Sequence, residues 1–324
     1  MSQAPVVSVV FPVFNESENI RAVYERVKET LVGTGLSHEM VFVDDGSSDP
    51  SLDIIKSLAE RDPAVQFVSL SRNFGHQPAI AAGLAHARGE AVISMDADLQ
   101  HPPSLIPEMI RLWRKGYQVV YTTKRSYANL SFIRRRVFRL AYWLLSKLSG
   151  LNLSFGQSDF RLLDRKVVDE LAALPEYRKF LRGLVCWIGF KQTGIEYDVV
   201  ARHAGQPKYT LSSLFSLMVD GILSFSITPL RWSLAVGVVA GGLSLLYGFW
   251  VVLLALLNFV GIEASLPPGW ASVVAAVMFL GSLQLIAIGL LSEYVGRVYE
   301  QVKGRPTYVV GEHSVPNPPA LSEK

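Results

Sequence analysis

Residues 93–102 read ISMDADLQHP, an apolar run that stops on two carboxylates two positions apart and is followed by an amide, an imidazole and a proline. In an extended segment, residues i and i+2 share a side, so Asp96 and Asp98 are expected to face one cleft while Ala97 stays out of the way. A strand that ends this way has reached a polar site. His101 is expected to cap or pack rather than to ligate.

Working outward from this stretch, short apolar runs alternate with amphipathic ones. Strands are predicted at Val7–Val13, Glu39–Val43, Val65–Leu70 and Ala91–Met95, with helices at Ser17–Val32, Pro50–Glu60 and Gln77–Ala87. The rhythm predicts βαβ units and a mostly parallel, Rossmann-like sheet covered on both faces, an α/β fold. Ligands of such sheets bind beyond the carboxyl ends of the strands. The residues just past those ends are Asn15 and Glu16, Asp44 and Asp45, Ser71 to Asn73, then Asp96 and Asp98.

Three strands therefore bring carboxylates to one rim, which calls for a cation or many hydrogen-bond donors. No GxGxxG follows the first strand and no GxxxxGK[ST] occurs, so a dinucleotide oxidoreductase and a P-loop NTPase are both disfavoured. Phosphates held without a glycine loop point to a divalent metal, Mg²⁺ or Mn²⁺.

The remainder of the chain changes character. From Ser233 to Ser292 the only formally charged residue is Glu263. Ser233–Ile262 and the run from Trp270 to Ser292 are each long enough to cross a hydrocarbon core of about 30 Å. The connector GIEASLPPG holds no Lys or Arg, whereas Arg231 precedes the first run and Arg297, Lys303 and Arg305 follow the second. The positive-inside rule then predicts a hairpin with both flanks cytoplasmic. Trp232, Trp250 and Trp270 lie near its expected interfaces, and Gly241, Gly242, Gly248, Gly281 and Gly289 would allow close helix contact within or between chains. Ser131–Leu151 reads as an interfacial amphipathic helix, and Tyr209–Trp232 as one or two surface-lying helices feeding the first span.

A net charge of +3 is too small to suggest nucleic acid. The lone Cys186 allows no internal disulfide and is expected in the core. The N-terminus has neither a basic n-region nor a long apolar core, so no secretory signal is predicted.

The segments FPVFNESENI, VDDGSSD, SRNFGHQPAIAAGLAHARGE, SMDADLQHPP and SDFRLLDR together resemble a family 2 inverting glycosyltransferase with the GT-A fold. With two C-terminal spans the chain is most similar to polyprenyl-phosphate glycosyltransferases, particularly bacterial bactoprenol (undecaprenyl-phosphate) glucosyltransferases. Enzymes making dolichyl-phosphate mannose from GDP-mannose, or attaching aminoarabinose to the same lipid, are related.

The resemblance implies a cytoplasmic catalytic domain over 1–205, interfacial helices over 206–232, a transmembrane hairpin over 233–295 and a cytoplasmic tail over 296–324, in the plasma (inner) membrane. It implies that Pro12, Asn15, Glu16, Asp45, Asp96, Gln100, Arg202 and Lys208 bind the nucleotide sugar, UDP-glucose being favoured. Asp98 would ligate the metal directly with help from Asp96, and Asp98 and Asp159 would be the catalytic carboxylates, Asp159 matching the residue usually assigned as base. Arg125, Arg134 and Arg135 would receive the lipid phosphate. A homo-oligomer, a tetramer by family habit, is a further implication. Two rival readings are a processive polymer synthase, for which a QxxRW motif is missing, and a non-catalytic membrane scaffold.

Overall fold

The structure is a computed structural model that describes residues 5–125, 136, 147, 157–177, 179–198, 222–260 and 269–315. The chain divides into two compact units, Met1–Gly221 with Arg305–Lys324, and Ile222–Gly304.

In the first unit β1 (Val7–Val13), β2 (His38–Asp44), β3 (Val65–Leu70) and β4 (Ala91–Ser94) are parallel neighbours in the order β4-β1-β2-β3. Between them run α1 (Ile20–Thr34), α2 (Ser51–Arg61) and α3 (His76–His86). These elements lie where the hydrophobic rhythm predicts them, with ends shifted by a few residues. α1 buries Ile20, Val23, Val27 and Leu31, one stripe at helical spacing. That stripe joins Val7, Val9, Phe11 and Val13 in the core on one face of the sheet, together with Met109 of α4 (Ile106–Arg114). On the other face α3 packs so closely that a Cβ on Gly83 would stand 2.1 Å from Val10 Cγ1. Glycine is what permits that approach.

The second half of the sheet is less regular. β6 (Gln157–Asp164) runs antiparallel between β4 and β5 (Val119–Lys124), and β7 (Gln192–Tyr197) pairs parallel with β5 at the edge. α5 (Arg165–Ala173) and α6 (Leu181–Ile188) lie between β6 and β7 in sequence. At the opposite edge β8 (Val310–His313) pairs antiparallel with β3. The segment expected as a tail thus closes a sheet edge that would otherwise present unpaired backbone groups. Cys186 is only half-buried on α6.

The second unit holds α7 (Thr228–Phe259) and α8 (Trp270–Val302). Within them Thr228–Leu254 and Val273–Val302 are long and apolar enough to cross a membrane, with mean hydropathies of 2.0 and 2.3. α7 starts five residues before the predicted boundary because Pro229 falls in its first turn, where its missing N–H costs nothing. The helices form a hairpin: Tyr294 Oη donates to the Ser226 carbonyl at 2.6 Å and Arg297 Nη1 to Ser224 Oγ at 3.2 Å, so the entry of one lies beside the exit of the other. A Cβ added at Gly241, Gly242, Gly248, Gly281 or Gly289 would meet nothing within 4 Å, so these glycines serve no close contact among the described residues of the chain. Ser131–Leu151, apart from positions 136 and 147, and residues 209–221 lie outside the described residues.

Candidate active site

The carboxyl ends of β1, β2, β3 and β4 form a rim. Pro12 sits in β1 opposite Val43, beyond the last β1–β4 pair Val10↔Ser94, so its missing N–H falls where β1 has one strand neighbour. Asn15 takes a left-handed conformation (φ 54), and its Oδ1 accepts from Ser48 N at 2.8 Å and Ser48 Oγ at 3.3 Å. Glu16 N donates to Ser51 Oγ, and Glu16 Oε2 accepts from Asn19 Nδ2. Asn15 latches the β1–α1 turn to the GSSD loop, and Glu16 ties it to Ser51 at the start of α2.

Asp45 is buried and accepts from Phe74 N at 2.7 Å and Gly75 N at 2.8 Å, joining the β2 end to the start of α3. Burial pushes its carboxyl above the ordinary value, against the pull of those two amides. Gly46 beside it has φ +69, and a Cβ there would stand 2.6 Å from the Arg72 carbonyl carbon.

The DxD stretch departs from the strand geometry predicted for it. β4 ends at Ser94, residues 97–98 form a turn, and Leu99 adopts φ 61. Asp96 and Asp98 are therefore related by a turn, not by strand alternation. Asp98 is 6 % exposed and its Oδ1 accepts from Gln100 N at 3.1 Å. Asp96 Oδ1 pairs with His76 Nε2 at 2.8 Å. Burial would raise the Asp96 pKa, but the hydrogen bond and positive charge of His76 pull it below the ordinary carboxylate value. His76 in turn overcomes desolvation, chiefly through Asp96, and is pushed up to about 9.

His101 is buried, stacks on Phe160 with ring centroids 5.2 Å apart, and accepts from Asp96 N through Nδ1. That acceptor role leaves Nε2 to donate to Ser158 Oγ at 2.8 Å. Desolvation lowers its pKa, so the ring is a neutral packing and turn-fixing element.

Asp159 lies on β6 and is 6 % exposed. Arg182 of α6 grips it through Nε–Oδ1 at 2.9 Å and Nη2–Oδ2 at 2.6 Å, and Arg161 Nη2 adds a contact at 3.2 Å. Burial alone would raise its pKa; the two guanidinium charges override this and hold the carboxyl well below the usual range. The structure thus gathers Asp45, Asp96 and Asp159 around the His76 charge. His76, Arg161 and Arg182 were not singled out in the sequence. His76 stands within SRNFGHQ past β3, a signal that was readable, whereas nothing in the residues around Arg182 marks it.

Arg125 is 62 % exposed at the end of β5, with Glu196 and Asp198 as its ion partners. Arg134, Arg135, Arg202 and Lys208 lie outside the described residues.

The residues present suit a divalent metal of one kind. Asp96 and Asp98 offer hard oxygen donors from one turn, and among the described residues no group of three His, Cys, Asp or Glu could complete a cage. Two carboxylates that rely on substrate phosphates for the remaining ligands fit Mg²⁺ or Mn²⁺.

The family model Glycosyl transferase family 2 matches residues 8–172. A Bacillus subtilis protein named uncharacterized glycosyltransferase YkcC is 41 % identical over 96 % of this chain and 94 % of its own length. The SfII prophage-derived bactoprenol glucosyl transferase of Shigella flexneri is 38 % identical over 96 % of this chain and 99 % of its own. Among solved structures, glucosyl-3-phosphoglycerate synthase from Mycobacterium tuberculosis, in complex with Mn²⁺, UDP and glucosyl-3-phosphoglycerate, is similar at a TM-score of 0.47 and 21 % identity, covering 68 % of this chain and 78 % of that one. With a doubly covered, mostly parallel sheet whose strand ends converge on a DxD turn, and with relatives along nearly its whole length, the chain belongs to glycosyl transferase family 2.

Proposed function

We propose that the protein transfers a hexose, glucose from UDP-glucose in the favoured case, to polyprenyl phosphate, forming a polyprenyl-phosphate sugar with inversion at the anomeric carbon. The observation that carries this reading is the 38 % identity, over 96 % of the chain, to a bactoprenol glucosyl transferase, in a chain that also holds an apolar helix hairpin. A lipid acceptor explains why a nucleotide-sugar site and such a hairpin occur together, since confinement to the bilayer raises encounter with an acceptor dissolved there. In this reading the first unit is catalytic and cytoplasmic, the hairpin spans the plasma membrane, and Arg231, Arg297, Lys303 and Arg305 mark its cytoplasmic end. A homo-oligomer belongs to the same proposal.

Asp98 and Asp96 would hold Mg²⁺ or Mn²⁺. When bound, the metal supplies charge neutralisation to the departing diphosphate. Pro12, Asn15, Glu16, Asp45 and Gln100 line the donor side, with Arg202 and Lys208 assigned to the donor phosphates. The acceptor is a phosphate monoester with a second pKa of about 6, largely ionised at neutral pH, so the residues around it need to orient it more than to deprotonate it. Asp159, locked between two guanidiniums, suits an electrostatic role over that of a base.

The test offers purified protein a panel of UDP- and GDP-sugars, including GDP-mannose, with undecaprenyl phosphate and Mn²⁺, and reads glycolipid by mass spectrometry. UDP-glucose is expected to give product. Product from GDP-mannose alone would reassign the donor, and no product with any donor would refute the reading.

A further inference from the structure

β8 closes a sheet edge, and the residue just before it also reaches the loop at the rim. Its pairing with β3 sets Val68 against His313 and Ser69 against Glu312, then Leu70 against Val310, so Gly311 is an extra residue on the β8 side. Such a bulge re-aims the chain beyond it. Here it brings Val309 rather than Val310 opposite Ser71, the first residue past β3, and the Val309 carbonyl accepts from Ser71 N at 2.9 Å.

From Ser71 the contacts run without a break to Asp45. The backbone of Arg72 and Asn73 lies so close to Gly46 that a Cβ there would stand 2.6 Å and 2.7 Å from it. Phe74 N and Gly75 N, next in the chain, hold the Asp45 carboxylate at 2.7 and 2.8 Å. The Ser71–Gly75 loop thus joins the Val309 carbonyl to the carboxylate assigned to the nucleotide.

The far end of β8 is anchored by Ser314. Its N–H donates to the Phe67 carbonyl at 3.0 Å, and its Oγ accepts from Phe67 N at 2.8 Å and donates to Gln66 Oε1 at 3.1 Å. Val315 beside it is buried. Between these ends the four-residue strand is partly exposed, and the Lys56–Glu312 ion pair lies at the surface, where it adds little. An edge strand held by few buried contacts opens more readily than the core strands.

We propose that β8 is a positioning strand for the donor site: docked on β3, it fixes the Ser71–Gly75 loop in the form that holds Asp45, so that its docking and the binding of a nucleoside diphosphate favour each other. The donor's identity rests on the function proposed above; the coupling rests on the β8–β3 pairing.

Two measurements on the full chain in detergent test it. In hydrogen–deuterium exchange of wild type, saturating UDP with Mn²⁺ is expected to slow exchange across residues 307–315 about fivefold or more, because coupling between two sites is reciprocal. Ser314→Pro loses both the N–H and the hydroxyl of the anchor. It is expected to weaken UDP binding by calorimetry, and to raise the donor KM, about fivefold or more at an unchanged acceptor KM. Ser314→Thr keeps both groups and should bind UDP as wild type does. Should Ser314→Pro fail to fold, Ser314→Ala carries the test with an expected loss of about threefold, the worth of the hydroxyl's bonds. Exchange across 307–315 that ignores the nucleotide, a folded Ser314→Pro with undiminished UDP affinity, or equal rises in both KM values would overturn the coupling. Wild type that shows the coupling yet makes no glycolipid would refute the proposed reaction and leave the role of β8 standing. Wild type that binds no nucleotide would overturn both.

Discussion

Arg182 and Asp159 form a two-pronged ion pair, Nε–Oδ1 at 2.9 Å and Nη2–Oδ2 at 2.6 Å, that joins α6 to the central part of β6. Its consequence is chemical as well as structural. A carboxylate held ionised by two arginines stays charged throughout the pH range in which the enzyme would work.

The pH dependence of turnover follows. The folded-state pKa of Asp159 is depressed, so its contribution to stability is present above the unfolded carboxylate value and is lost only as pH falls through the folded one. No limb of a kcat/KM profile between pH 5 and 9 should belong to it. We expect one acid limb at about 6, set by the second ionisation of the acceptor phosphate. Asp159→Asn should lower the height of the profile and leave the limb in place; a limb that disappears in this variant would restore the base assignment.

His76 and Asp96 give a stability signature of opposite sign. The His76 pKa is raised from 6.5 to about 9, so the pair's stabilisation is complete below 6.5 and is lost as pH rises through about 9. At the acid end, the depressed pKa of Asp96 keeps its share until pH falls below 3.8. In metal-free protein, the melting temperature should fall from pH 7 to 9.5 more steeply in wild type than in His76→Gln. Parallel curves would remove the coupling.

Asp98→Asn keeps the size of the side chain and its acceptor for Gln100 N while removing the charge. Turnover should fall by about 10²-fold or more, as when a single group stabilising developing charge is deleted. Mn²⁺-dependent tightening of UDP, measured by calorimetry, should vanish with it. Full turnover in saturating Mg²⁺ would sink the metal assignment.

Gly46→Ala probes the contact between the β2–α2 and β3–α3 loops. The added methyl meets backbone at 2.6 and 2.7 Å in a left-handed conformation, so neither neighbour can yield as a side chain tip would. A cost of about 2 kcal/mol is expected from the conformation alone. Denaturation followed by tryptophan fluorescence should show this loss, together with weaker UDP binding because Asp45 and Phe74 are displaced.

Much of this architecture was readable before any coordinates. Strands β1 to β4 and helices α1 to α3 follow from hydrophobic periods of two and 3.6, because each buries a face whose spacing is local. Asp45, Asp96 and Asp98 were legible as strand-end carboxylates for the same reason. The family resemblance marks Asp159 within SDFRLLDR without making β6 a strand, and β8 falls within the predicted tail. Their strand character comes from pairing with β4 and β3, far away in sequence, and local composition does not encode it.

The sequence alone determined the βαβ order, the carboxylate rim and the apolar hairpin, since these depend on residue type at short spacing. The tertiary structure decided what each carboxylate does. It turned the DxD into a turn pinned by His101, gave Asp96 to His76 and Asp159 to Arg161 and Arg182, and spent Asp45 on the backbone of Phe74 and Gly75. A side chain's charge state depends on which groups lie within a few ångströms of it, and most of those partners lie many residues away along the chain.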